Sequence, residues 1–145
     1  MMDNRGVSST LNYVLGLGVA TVLVMGLLIA GGNLIEDQRE QVTRNELSVL
    51  GQQVVSDLAA ADRFTQEGGE VTLNRDLPKS VAGQTYRITV THNTGQQYYL
   101  TLTSARTDTL VRIEFVSKTT ISPSSVDGGP IKIVGDGAVV EVQNG

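Results

Sequence analysis

The sequence predicts an α+β fold, with one long N-terminal helix packed against a small antiparallel β-sheet head. Three observations carry that expectation. No charged residue occurs between Gly6 and Ile35. Helix-forming residues then continue, without a proline, to Arg63. Past Gly69 the apolar spacing drops from about four residues to two.

The chain has 145 residues. Setting aside a leader and an apolar segment leaves about 110, enough for one small domain. There is no Cys, so neither disulfides nor thiolate metal sites can form. The formal net charge is −4 and no basic cluster occurs, which argues against nucleic-acid binding. Mild acidity with only Lys79, Lys118 and Lys132 fits a salt-loving organism.

The first element is a short leader, residues 1–6, followed by a transmembrane helix over 7–35. About 20 apolar residues suffice to cross a bilayer. A cleaved signal peptide has an apolar core of about 7–15 residues, and this run is twice that. The size of the domain argues against a soluble core helix, because so small a domain cannot cover an apolar helix on all sides. Gly16, Gly18, Ala20, Gly26 and Ala30 stud the span, and small residues let membrane helices pack closely. Arg5 precedes the span, while Glu36, Asp37, Arg39 and Glu40 follow it. That arrangement predicts a single-pass protein with the N-terminus inside and the head outside.

Residues 36–64 form an amphipathic extension. Val42, Leu47, Leu50, Val54, Leu58 and Ala61 make one helical stripe. Glu40 and Arg44 lie four apart and support the outer face. The two segments read as one near-continuous helix from about Ser9 to Arg63, about 80 Å long. A dimeric coiled coil would need a cleaner heptad repeat than this stripe offers.

Residues 65–145 form the head. Tyr86, Ile88 and Val90 alternate with polar residues, as do Leu100 and Leu102, and Val111, Ile113 and Phe115. His92-Asn93-Thr94-Gly95 reads as a hairpin turn, and Asp127-Gly128-Gly129-Pro130 marks a further turn. A last hairpin pairs 131–134 with 138–142 across Gly135-Asp136-Gly137, and 70–73 adds a short strand. Five or six strands then share one apolar face, which the helix stripe covers.

No catalytic constellation is legible, and the chain is not expected to be an enzyme or to hold a cofactor or metal. His92, the single histidine, reads as a polar residue beside a turn. Asp127-Gly128-Gly129 and Asp136-Gly137 lack the alternating carboxylates of a calcium loop. No Asn-x-Ser/Thr acceptor occurs.

A leader, an uncut apolar helix, an amphipathic extension and a β head form the plan of type IV pilin-like proteins. The start Arg5-Gly6-Val7-Ser8-Ser9-Thr10-Leu11 resembles the prepilin processing region of archaeal pilins. With Ser56-Asp57-Leu58-Ala59-Ala60-Ala61-Asp62-Arg63, it is similar to haloarchaeal pilin-like proteins. Ser9 stands where the commoner archaeal pattern has Pro, and Leu11 where bacterial pilins carry Glu. The resemblance implies cleavage after Gly6 by a membrane-bound prepilin peptidase, with Arg5, Gly6 and Val7 as the processing site. It also implies assembly with other pilin subunits through the apolar helix, as a minor pilin or pseudopilin in a surface filament or secretion pseudopilus. The alternative is a single-pass anchored surface protein whose head binds a partner and never polymerises.

Overall fold

A computed structural model describes residues 4–145. It is an α+β protein: one long helix, α1 (Asn4–Gln66), precedes nine strands. In chain order these are β1 (Glu70–Arg75), β2 (Ser80–Val81), β3 (Gln84–His92), β4 (Gln97–Ser104) and β5 (Leu110–Val116). Then come β6 (Thr120–Ile121), β7 (Ser124–Asp127), β8 (Ile131–Asp136) and β9 (Val139–Asn144). The chain divides into two compact units, Met1–Gln38 and Arg39–Gly145.

The helix is already formed at Asn4, earlier than the expected Ser9, because no proline interrupts residues 4–9 and one glycine, Gly6, costs only about 1 kcal/mol. It ends where Gly68 takes a left-handed φ of 76°. Gly68 N–H donates to the Thr65 carbonyl and Gly69 N–H to the Phe64 carbonyl, closing the helix end.

The strands form two sheets, not the single sheet expected. One has the order β1-β8-β9-β6. The other has the order β2-β3-β4-β5, with β7 also pairing β3. Most pairs are antiparallel, but β6 runs parallel to β9. β7 also runs beside β9, which brings the two sheets together. Alternation identifies an apolar face but not which neighbour a strand takes, so a period of two does not distinguish one sheet from two.

Two expected hairpins are present. β3 and β4 pair from Tyr86 opposite Ser104 to His92 opposite Tyr98, and Gly95 supplies φ +60° in the turn. β8 and β9 pair with Ile133 opposite Val142. There Gly137 has φ +90°, and the Asp136 carboxylate accepts from Ala138 N–H (3.0 Å) and Val139 N–H (2.8 Å). These two bonds hold the Asp136 carboxyl below its ordinary value. Between β2 and β3 an unforeseen two-residue turn places Ala82 and Gly83 both at positive φ. Such turns favour Asn-Gly, and alanine in the first place hid it.

The core lies between the second half of α1 and the two sheets. Leu47, Leu50, Val54, Leu58 and Ala61 are buried against Ile88, Leu100, Leu102, Ile133, Val140 and Val142. Gly51 sits so close to β4 and β5 that a Cβ there would meet Ile113 Cδ1 at 2.6 Å and Leu102 Cδ1 at 2.8 Å. Val42, expected in the stripe, is exposed, and Thr43 takes its place. Thr43 is four residues before Leu47 and so shares its face, whereas Val42 points about 100° away. The Thr43 hydroxyl donates to the Arg39 carbonyl (2.8 Å), so its burial leaves no polar group unpaired.

Candidate functional site

The feature that sets this chain apart is the first unit. Its helix is apolar on every side, and its large apolar side chains are exposed. Their exposure runs from 53% at Ile35 to 73% at Tyr13. The helix is long and apolar enough to span a membrane. Two hydroxyls within it are satisfied locally. Thr10 donates to the Gly6 carbonyl (2.9 Å) and Thr21 to the Leu17 carbonyl (2.8 Å). Such back-bonding removes hydroxyl donors that hydrocarbon could not satisfy.

The residues expected to pack are all on this helix. At about 100° per residue, Gly16, Ala20, Gly26 and Ala30 fall within about 120° of arc. They form two small-xxx-small pairs, Gly16 with Ala20 and Gly26 with Ala30. Gly18 falls on the other side of the helix. A Cβ added at Gly16, Gly18 or Gly26 would meet nothing within 4 Å. Arg5, Gly6 and Val7 lie in the first turns of α1, all exposed.

In the second unit, two carboxylates on α1 tie the helix to the sheets. Asp62 is the deeper one, 8% exposed. It accepts from Thr119 N–H (2.7 Å), Lys118 N–H (3.3 Å) and Gln66 Nε2 (2.8 Å). Burial pushes its pKa up, but the hydrogen bonds from Thr119, Lys118 and Ser117 outweigh that and leave it lowered. Asp57 receives Arg75 Nε of β1 at 2.6 Å, and this pairing raises the Arg75 pKa. Both aspartates lie in the segment 56–63 quoted for the resemblance. Their partners outside the helix, Arg75 and Thr119, are 18 and 57 residues away, so no local pattern announces those contacts.

The head also has an open cleft of about 640 Å³ beside Lys79, Tyr86, Arg87, Ser104 and Asp127. Several of its polar groups are engaged within the fold. Arg87 pairs with Asp127 at 3.1 Å, and the Tyr86 hydroxyl donates to the Pro78 carbonyl at 2.7 Å. Burial raises the Tyr86 pKa, partly offset by a hydrogen bond with Gly129. His92 belongs to the β3–β4 turn: its Nε2 lies 2.9 Å from the Gly95 carbonyl and its ring meets Tyr98 edge-on. Asp127-Gly128-Gly129 and Asp136-Gly137 form turns. Among the described residues, no three His, Asp or Glu side chains converge on a metal-sized site.

Residues 2–143 match the profile of a family of unknown function, DUF7266, and the chain belongs to that family. No curated protein matches it, and no solved structure does.

Proposed function

We propose that this DUF7266 member is a type IV pilin-like subunit, a minor pilin or pseudopilin. It would assemble through its N-terminal helix into a surface filament or secretion pseudopilus. One observation carries the reading: every large apolar side chain from Val7 to Ile35 is more than half exposed on a helix that goes on, without a break, into the core of a β head. Apolar surface on all sides requires a partner on all sides. Lipid fills that role before assembly, and neighbouring copies of the helix fill it afterwards. The face carrying Gly16, Ala20, Gly26 and Ala30 lets those neighbours approach closely. Arg5 and Gly6 mark the processing site, with the N-terminus inside, the head outside, and Val7 as the mature first residue.

The test is the mass and N-terminal sequence of protein extracted from its native membrane. The expected product starts at Val7 and is also found in sheared surface filaments. Gly6→Trp is expected to block that cut. An intact Met1 or Met2 start, with the protein confined to the membrane, would instead support a single-pass anchored binding protein.

A further inference from the structure

Strand β5 closes one side of its sheet, pairing with β4 alone. Its other edge is bare among the described residues. Native proteins usually blunt such an edge with charged side chains, most often lysine, or with proline, a bulge or a covering segment; the two charges β5 carries, Arg112 and Glu114, are opposite in sign. β5 reads Leu-Val-Arg-Ile-Glu-Phe-Val, with no proline, glycine or lysine, and it runs unbroken for seven residues.

Backbone parity fixes what that edge presents. Ser104 N–H donates to the Thr109 carbonyl and Ser117 N–H to the Gln96 carbonyl, both at 3.0 Å. Residues 109, 111, 113, 115 and 117 therefore turn their peptide groups toward β4. Leu110, Arg112, Glu114 and Val116 turn theirs toward the open edge. These same four side chains are the exposed ones. Leu110 and Val116 are among the exposed large apolar residues of the head. Arg112 is held over the Tyr99 ring, 5.2 Å from its centroid. Among the described residues, neither Arg112 nor Glu114 forms a salt bridge within the chain.

The edge reads the same from both ends: apolar, charged, charged, apolar, with the two charges opposite in sign. We propose that β5 is a self-complementary docking edge whose occupant is β5 of a second copy, paired antiparallel about Ile113. In that register Arg112 faces the second copy's Glu114, Glu114 faces its Arg112, and Leu110 faces its Val116. The backbone bonds fall on the outward-turned residues, as the parity requires. A slip of one residue loses those bonds. A slip of two sets Arg112 against Arg112, or Glu114 against Glu114, and like charges directly opposite are unfavourable. The proposal rests on the head alone and is independent of whether the apolar helices form a filament.

The chain has no native cysteine, so introduced thiols are the only ones present. Full-length protein carrying Leu110→Cys and full-length protein carrying Val116→Cys, differently tagged, are co-reconstituted in phosphatidylcholine vesicles and oxidised. A hydrogen-bonded antiparallel pair sets Cα atoms about 5.5 Å apart, within disulfide reach. Two thiols both at position 110 would lie about 20 Å apart in this register. The expected result is a mixed disulfide at about tenfold excess over either like pair. Adding Arg112→Glu to both chains should cut the mixed product about tenfold. Placing Arg112→Glu on one chain and Glu114→Arg on the other should restore it. Association through the apolar helices alone gives no register between heads, so a mixed product in no excess overturns the proposal. Indifference to the charge changes overturns it equally.

Discussion

Two leucine-rich stretches of one helix are treated in opposite ways. Between Val7 and Ile35 the large apolar side chains are more than half exposed, and the glycines stand open. Between Leu47 and Ala61 a single stripe is buried, and Gly51 is pressed against Ile113 and Leu102. The backbone is the same α-helix in both. What differs is the pattern: apolar on every side in the first, apolar along one line in the second. A stripe can be satisfied by one small sheet. A fully apolar surface cannot, and it requires a surrounding phase or a ring of neighbours.

The contrast is tested most strongly by paired truncations. Leu58→Ala should cost the head about 2–5 kcal/mol in reversible unfolding of the detergent-solubilised chain. Leu23→Ala should leave that transition within about 0.5 kcal/mol. Equal losses at both sites would erase the distinction between the two stretches.

Asp62→Asn comes next, with an expected cost of about 2–3 kcal/mol, because backbone donors at Lys118 and Thr119 lose a buried carboxylate. Its pH dependence has a definite sign. The folded-state pKa lies below the ordinary aspartate value of 3.8, so the stabilisation is present above that value. It fades as pH falls through the lowered one. Acid titration of unfolding should therefore be shallower in Asp62→Asn than in the parent. A residual slope remains from Asp136, whose pKa is also lowered.

Glycine substitutions sharpen the comparison at the level of single contacts. Gly51→Leu should destabilise the head by about 1–2 kcal/mol, since overpacking outweighs the gain in helix propensity. Gly26→Leu should leave head unfolding unchanged and act only on association between chains, measurable by crosslinking in vesicles. The smallest effect concerns Thr65, whose Oγ1 is buried without a partner. Thr65→Val should be neutral or stabilising by under about 1 kcal/mol in the same unfolding assay.

The sequence made the helix, its stripe and the long hairpins legible because each is a local, periodic pattern. The β3–β4 turn is one example: Gly95 sits where a positive φ is needed, between two alternating runs. What stayed hidden was short or distant. β2 and β6 have two residues each, too few to show a period. β7, reading Ser-Ser-Val-Asp, carries one apolar residue. Thr43 replaced Val42 because geometry about the helix axis, not hydrophobicity, decided which one faced the sheets. The Asp62 clamp joins residues 57 positions apart, and only the folded chain brings them together.

The order of strands in the first sheet also sets a timetable. β1 pairs with β8, Glu70 opposite Asp136, and β8 in turn pairs with β9, which ends at Asn144. A ribosome makes the helix first and this sheet's closing hairpin last. Until that hairpin emerges, the stripe from Leu47 to Ala61 waits with half of its cover unmade. The interval of synthesis between β1 and β9 is thus the period in which this chain is most exposed to aggregation, and in which a holding chaperone has most to offer.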